Sequence, residues 1–195
     1  MDKAAIIRVQ QRLQVRVDGV FGPASLAALF ARAGAMPVMA AELALAGALR
    51  LFGYGLMDTP LRCAHFLAQL AHESGGFRWM EELASGDAYE GRNDLGNAEP
   101  GDGRRYKGRG PIQLTGRANY RKFGRLIGID LERHPEIAAI PSIGLWTACV
   151  YWDVNFLNAL ADRDDIDGIT RRINGGLNGL QDRKERLKVM KGVLL

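Results

Sequence analysis

A glycine-rich segment between residues 84 and 110 is the feature that most constrains how this chain can fold. It alternates charged residues with glycine and shows little helical periodicity. A stretch of this length without a periodic pattern, inside a small domain, is usually functional or disordered. Tyr89, Leu95 and Tyr106 argue against complete disorder. We therefore predict an ordered, irregular segment with at most a small β element.

Apolar residues recur at helical spacing on both sides of that segment. The predicted helices span residues 4–13, 25–33, 36–51, 61–74, 118–127, 141–157, 166–173 and 181–194. Thr59 is predicted to cap the fourth helix, with Pro60 at its first position, and Gly75 and Gly76 are predicted to end it. The predicted fold class is therefore mainly α.

Length and charge narrow the possible functions. A chain of 195 residues fits one domain, or one domain with a short appendage. The formal net charge of +4 suits an anionic partner but does not choose between nucleic acid, a membrane surface and a cell-wall polymer. No run approaches the ~20 apolar residues of a membrane-spanning helix. Arg8 and Arg12 interrupt the apolar stretch that a signal peptide would need, so we expect export to depend on another protein.

The two cysteines do not form a disulfide framework. Cys63 and Cys149 each lie in an apolar context, which predicts two buried free thiols in a reducing compartment. The three histidines are too few and too scattered for a zinc site, and no metal or organic cofactor is implied.

Two glutamates flank the predicted glycine turn. Glu73 ends an apolar helix, where partial burial and the negative helix end both favour the protonated carboxyl that a general acid requires. Glu82 follows nine residues later, so the turn could place the two carboxyl groups on opposite walls of a cleft. An inverting glycosidase needs them ~6.5–9.5 Å apart. Spacing alone leaves Glu81 and Glu90 as competitors, and an ordinary surface role for Glu73 stays open.

A set of motifs in a fixed order extends this pattern. They are His72-Glu73-Ser74-Gly75-Gly76-Phe77, Glu82, Tyr89-Glu90-Gly91-Arg92, Tyr106 with Gly108-Arg109-Gly110-Pro111-Ile112-Gln113-Leu114-Thr115, Asn119-Tyr120, and Ile173-Asn174-Gly175-Gly176. Together they resemble glycoside hydrolase family 19, the family of plant-type chitinases that also includes phage and bacterial endolysins. The resemblance covers roughly residues 60 to 190. The short spacing between the glutamates and the absence of plant-type loops are most similar to the endolysin and bacterial branch.

This resemblance implies a lysozyme-like helical domain with two lobes around a cleft, and it assigns roles to single residues. Glu73 matches the general acid, Glu82 matches the base that activates water, and Thr115 matches a hydroxyl residue that holds that water. Glu90 remains a rival for the base. The residues assigned to substrate binding, by the resemblance or because amides and aromatic rings suit sugars, are His72, Tyr89, Glu90, Tyr106, Gln113, Asn119, Asn174 and Arg183.

The first 35 residues form a separate unit in this interpretation. Val9-Gln10, Val17-Asp18-Gly19 and Phe21-Gly22-Pro23 resemble a shortened peptidoglycan-binding helical repeat, about half the length of that family's domains. Residues 1–35 are therefore predicted to be a helical prefix, and residues 36–195 the catalytic domain. Wall binding by the prefix and simple packing against the catalytic domain both remain open.

The combined expectation is an endolysin that hydrolyses the β-1,4 bonds of bacterial peptidoglycan, an N-acetylmuramidase. Basic residues of the glycine-rich segment would form either a positive rim for an anionic wall or an ordinary solvated loop. The alternatives are a chitinase, a lytic transglycosylase and a wall-binding protein without catalysis. We expect a monomer with no nucleic-acid partner and no stable membrane association. It would be made in the bacterial cytoplasm and reach the wall, in the periplasm, through a separate pore protein.

Overall fold

The computed structural model describes residues 1–195, and they form a mainly helical molecule, which confirms the predicted fold class. The ten α-helices are α1 (Lys3–Leu13), α2 (Pro23–Arg32), α3 (Pro37–Gly53), α4 (Pro60–Glu73), α5 (Asp102–Arg105), α6 (Arg117–Ile127), α7 (Pro141–Val154), α8 (Leu157–Ala161), α9 (Ile166–Asn174) and α10 (Leu180–Leu194). Three short 3₁₀ helices span Asp87–Tyr89, Asn93–Leu95 and Pro135–Ala139.

Most predicted helices match the observed ones to within a few residues. The exception is the predicted helix over residues 141–157, which is two helices, α7 and α8. Phe156 lies between them with a left-handed backbone (φ 55°), a conformation that no continuing helix can contain. The glycine-rich segment is ordered as predicted, but it holds two 3₁₀ turns and the short helix α5, which its sequence did not indicate.

Helix α4 is the buried centre of the molecule. Thr59 caps it by accepting a hydrogen bond from the Arg62 N–H at 3.1 Å, and Pro60 occupies its first position, as predicted. Nine consecutive residues, from Cys63 to Ala71, are buried, because α4 packs on α10 and lies close to α8. The remaining helices pack in further pairs, α2 on α3 and α3 on α7.

The buried apolar residues divide into two clusters. The larger one extends from Val9 and Phe30 at the N-terminus through Phe66 to Trp152, so the first two helices share their core with the rest of the chain. The smaller cluster lies beneath the irregular segment and is built around Tyr120. The division of the chain at residue 35 remains a prediction.

The only strand-like pairing joins the two sides of the glycine-rich segment. Arg109 forms isolated antiparallel bridges with Glu81 and with Leu114. Gly110 donates its N–H to the Met80 carbonyl at 2.8 Å. This is the small β element that the sequence predicted, and it sets the backbone position of the residues around Glu81.

Two further expectations concern membranes and thiols. No helix combines the length and the apolar character that crossing a membrane would require. Cys63 and Cys149 are buried free thiols, as predicted. Burial raises the pKa of Cys63 to about 12 and also raises the pKa of Cys149, so both stay protonated near neutral pH.

Candidate active site

The first wall of the site is the C-terminal end of α4. Glu73 is the last residue of that helix, and its side chain is one-fifth exposed. The guanidinium of Arg183, from α10, donates to the Glu73 carboxylate and to the Gln69 amide oxygen one turn earlier. Arg183 is only 1% exposed, so this ion pair is largely withdrawn from solvent.

Arg183 is one of the residues that the sequence assigned to substrate binding, and the structure brings its side chain into direct contact with Glu73. Gln69 was not anticipated. Its side chain is fully buried and its amide nitrogen has no hydrogen-bond partner. Its contact with Arg183 is therefore the only feature that links Gln69 to the site.

The second wall is the edge of the glycine-rich segment. Glu82 accepts hydrogen bonds from the Tyr89 hydroxyl at 2.9 Å and from the Gly108 N–H at 3.0 Å. Lys107 reaches the backbone carbonyl of Glu82 rather than its carboxylate. Burial, with the neighbouring Glu82 carboxylate, raises the pKa of Tyr89, so its hydroxyl remains a donor to Glu82.

Gly108 is the point at which three of the assigned side chains meet. A Cβ atom on Gly108 would lie 2.7 Å from Gln113 Oε1, 3.2 Å from Glu82 Oε2 and 3.4 Å from Thr115 Oγ1. The Gln113 amide nitrogen is held by the carbonyls of Trp79 and Gly110, which leaves its oxygen on the Gly108 side. Any larger residue at 108 would therefore displace this group of oxygens.

A cleft of about 220 Å³ connects Glu73 to Gln113 and Thr115, and Glu82 lies outside its lining. Its lining residues are Glu73, Leu95, Ile112, Gln113, Leu114, Thr115, Asn119, Tyr151, Ile173 and Asn174. Four residues that the sequence assigned to the site, besides Glu73, therefore share one cavity with it.

Tyr151 in this lining lies in an apolar helix, where its sequence context alone predicts ordinary packing. In the structure its ring is half-buried against the cleft, and its hydroxyl donates to the Arg172 carbonyl at 3.3 Å. Burial and the Glu73 carboxylate raise the pKa of Tyr151. No local sequence signal separates it from its packed neighbours.

Six assigned residues are absent from the cleft lining, namely Glu82, Tyr89 and Arg183, described above, and Tyr106, His72 and Glu90. The prediction that Tyr106 binds a sugar ring is wrong, because its ring is 1% exposed and its hydroxyl donates to the Glu132 carbonyl inside the smaller core. His72 points to α10, where Nδ1 lies 2.5 Å from the Asp182 carboxylate. Glu90 accepts from two backbone N–H groups of the glycine-rich segment, at 2.6 and 2.8 Å.

The basic residues of the glycine-rich segment are mostly neutralised within it. Arg92 pairs with Asp94, Arg104 with Asp87, and both Lys107 and Arg109 with Glu81. Paired charges of this kind produce a much weaker field than free ones, so a strongly positive rim is not present here.

Comparisons with known proteins place the chain among chitinase-like sequences. A model of glycoside hydrolase family 19, described as class I chitinase, matches residues 58–170. A glycosyl hydrolase family 19 domain-containing protein of Haemophilus influenzae is 34% identical over 151 residues, which cover 62% of this chain and 74% of that protein. An endochitinase of Arabidopsis thaliana is 38% identical over 114 residues, which cover 58% of this chain but only 39% of the endochitinase.

Solved structures show the same fold. Chitinase C from Streptomyces griseus superposes with a TM-score of 0.69 at 25% identity, covering 90% of this chain and 95% of that chain. A class IV family 19 chitinase from Zea mays superposes with a TM-score of 0.63 at 23% identity, covering 89% of this chain and 92% of that chain.

Proposed function

The chain belongs to glycoside hydrolase family 19, and from that premise we propose that it hydrolyses the β-1,4-glycosidic bonds of bacterial peptidoglycan with inversion at the anomeric carbon. One observation carries the proposal. A carboxyl group at the end of α4 shares a cleft with Gln113 and Thr115, whose side-chain oxygens meet the second carboxyl group at Gly108.

In the proposed mechanism Glu73 is the general acid and Glu82 the general base. Glu73 protonates the glycosidic oxygen as the bond to the leaving sugar breaks. Glu82 takes a proton from a water molecule that attacks the anomeric carbon from the opposite face of the ring. Thr115 Oγ1 and Gln113 Oε1 lie beside Glu82 and orient that water, so the nucleophile is in place before the bond breaks.

The positions of Glu90 and Glu82 favour Glu82 as the base. Both oxygens of Glu90 are engaged by backbone N–H groups of its own segment. Both oxygens of Glu82 also accept hydrogen bonds, but its Oε2 lies on the side of Thr115 and Gln113, whereas Glu90 has no contact with either residue in its hydrogen bonding. The proposed part of Glu90 is to hold the segment that carries Tyr89.

Peptidoglycan is favoured as substrate by charge and by the N-terminal helices. The net charge of +4 promotes association with an anionic wall, even though the glycine-rich segment is internally paired. The short prefix resembles a peptidoglycan-binding repeat.

Chitin is the second candidate, because the Arabidopsis relative is named an endochitinase and both structural neighbours described above are named chitinases. Both polymers contain β-1,4-linked N-acetylated amino sugars, so the same pair of carboxyl groups serves either.

The test is a digest of purified peptidoglycan, reduced with borohydride and analysed by mass spectrometry, with Glu73→Gln as the inactive control. Reduced N-acetylmuramic acid ends support the proposal. Reduced N-acetylglucosamine ends would contradict muramidase activity. Ends with a 1,6-anhydro ring would indicate transglycosylation instead of hydrolysis. If chitin oligomers are cleaved while peptidoglycan is not, the protein is a chitinase. Binding to walls without any product would indicate a non-catalytic binder.

A further inference from the structure

Three consecutive residues after the end of α4 have left-handed backbone conformations. The φ angles are 59° at Gly75, 75° at Gly76 and 63° at Phe77. Glycine adopts such angles at little cost, but a phenylalanine does so only when its surroundings hold it there. This turn leads from Glu73 towards Glu82, so its shape fixes how the chain leaves the first carboxyl group.

Part of the support for this turn is local. Ser74 is fully buried, and its hydroxyl donates to the Leu70 carbonyl at 2.6 Å and accepts from the Phe77 N–H at 2.9 Å. These bonds close the end of α4. They leave the Phe77 ring and the outer side of Gly76 to be supported by another part of the chain.

The N-terminal helices supply a backbone contact to the turn. A Cβ atom on Gly34 would lie 3.1 Å from Gly76 Cα, and one on Gly76 would lie 3.3 Å from the Gly34 carbonyl oxygen. Gly34 itself has a φ of 116°, which side chains rarely allow. Two glycines therefore meet backbone to backbone, one just after α2 and the other three residues beyond Glu73.

An aromatic contact lies beside these glycines. The ring of Phe30, from α2, meets the ring of Phe77 edge to face, with centroids 5.5 Å apart and an interplanar angle of 90°. Both rings are 1% exposed. This packing opposes a return of Phe77 to an ordinary conformation, because that change would remove its ring from the core.

We propose that the N-terminal helices position the general acid, with Gly34 and Phe30 acting as positioning residues through the Gly75–Phe77 turn. The inference rests on the proposed role of Glu73 and adds a task for a segment whose other interpretations were wall binding or simple packing. A small displacement of an acid from its substrate oxygen is costly, since about 1 Å of misplacement lowers rates by up to about 10²-fold.

The test compares two glycine substitutions in the same prefix. Gly34→Ala introduces a Cβ against the Gly76 backbone, whereas Gly19→Ala, also at positive φ (73°), meets only the flexible Lys3 side chain. Both substitutions strain the prefix locally, so the control removes that shared effect. Kinetics are measured on a short soluble oligosaccharide of the polymer that the protein cleaves, so that binding of the prefix to a wall does not contribute. We expect Gly34→Ala to lower kcat about tenfold with KM within about twofold, while Gly19→Ala keeps its kcat.

A substrate-free measurement accompanies the kinetics. A Cβ on Gly75 would lie 2.8 Å from Trp79 Cδ1, so the Trp79 ring covers the turn and reports its shape. With fluorotryptophan incorporated and the resonance assigned through Trp79→Phe, we expect the ¹⁹F signal of Trp79 to shift in Gly34→Ala and to stay in Gly19→Ala. Phe30→Leu is the second variant if Gly34→Ala does not fold, with the same expected pattern.

The outcomes separate the two proposals. Equal kcat in Gly34→Ala and Gly19→Ala, at a temperature where both are folded, overturns the positioning role, as does an unmoved Trp79 signal. If the unsubstituted protein cleaves neither peptidoglycan nor chitin, the proposed function fails, and the Trp79 signal alone tests whether the prefix shapes the turn.

Discussion

The two walls of the candidate site hold their carboxyl groups by different means. Glu73 ends a buried helix and is paired with the guanidinium of Arg183, which is itself in the core. Glu82 lies at the edge of an irregular segment and is held by two neutral donors, the Tyr89 hydroxyl and the Gly108 N–H. One carboxyl group is thus held by an opposite charge, and the other by dipoles.

This difference fits two separate chemical tasks. A carboxyl group in a rigid, water-poor site keeps a fixed orientation towards the bond that it must protonate. One that must accept a proton from water needs donors that orient its charged form without neutralising it. Two glutamates separated by one glycine turn can therefore divide the work of an acid and a base.

The largest expected effect comes from removing the acid. Glu73→Gln should lower kcat on the cleaved polymer about 10³-fold, because the amide cannot protonate the leaving oxygen. The amide oxygen can still accept from Arg183, so the circular dichroism spectrum should match that of the unsubstituted protein. Activity within tenfold of the unsubstituted protein would remove Glu73 from this role.

Removing the base should have a smaller but still large effect. Glu82→Gln should lower kcat about 10²-fold, since water remains bound beside Thr115 but is no longer deprotonated. Glu90→Gln is the matched control and should keep kcat while losing some stability, because the amide nitrogen cannot accept from the backbone N–H groups that the carboxylate binds. A larger loss of kcat in Glu90→Gln than in Glu82→Gln would make Glu90 the base.

The ion pair of the first wall should contribute more to the free energy of unfolding than a half-exposed ion pair on the same helix. Arg183→Met leaves Glu73 without its cation in a largely buried site, and we expect the free energy of unfolding to fall by about 3 kcal/mol, measured by urea denaturation. Arg186→Met, on the same helix, breaks a half-exposed pair with Asp182 and should cost less than about 1 kcal/mol. Similar losses in the two variants would show that Glu73 and Arg183 gain nothing from burial.

Removing a neutral donor of the second wall should lower kcat less than removing either carboxyl group. Tyr89→Phe removes one hydrogen bond to Glu82, which is worth about 1 kcal/mol, so kcat should fall about fivefold. In a Glu82→Gln background the same change should have a much smaller effect, since the charged acceptor is already gone. An equal loss of kcat in both backgrounds would show that Tyr89 does not act through Glu82.

The smallest expected effect is a pH-dependent loosening confined to the second wall. The Arg117 guanidinium lowers the pKa of Asp102, whose side chain is buried in the glycine-rich segment. A lowered folded-state pKa adds stability above the unfolded pKa of about 3.9, and that stability is lost as pH falls through the folded value. Hydrogen exchange measured from pH 6 downwards should show residues 97–117 losing protection before α4. If residues 97–117 and α4 lose protection at the same pH, the predicted difference between the two walls is wrong.

Much of the framework follows from local sequence. A helix depends on contacts three and four residues apart, so apolar spacing was enough to predict α4 and α10. The cap at Thr59 and the glycine turn after Glu73 are equally local. Family motifs added the assignment of Glu73, Glu82 and Thr115.

What the sequence determined, then, was most of the longer helices and which residue types are available for chemistry. Only the tertiary structure decided that Arg183 pairs with Glu73 across 110 residues, that Tyr106 is buried, and that Gly34 meets Gly76. The reason is physical. Helix formation and capping depend on neighbours along the chain, whereas burial and charge pairing depend on which distant surfaces pack together, and no spacing within one helix contains that information.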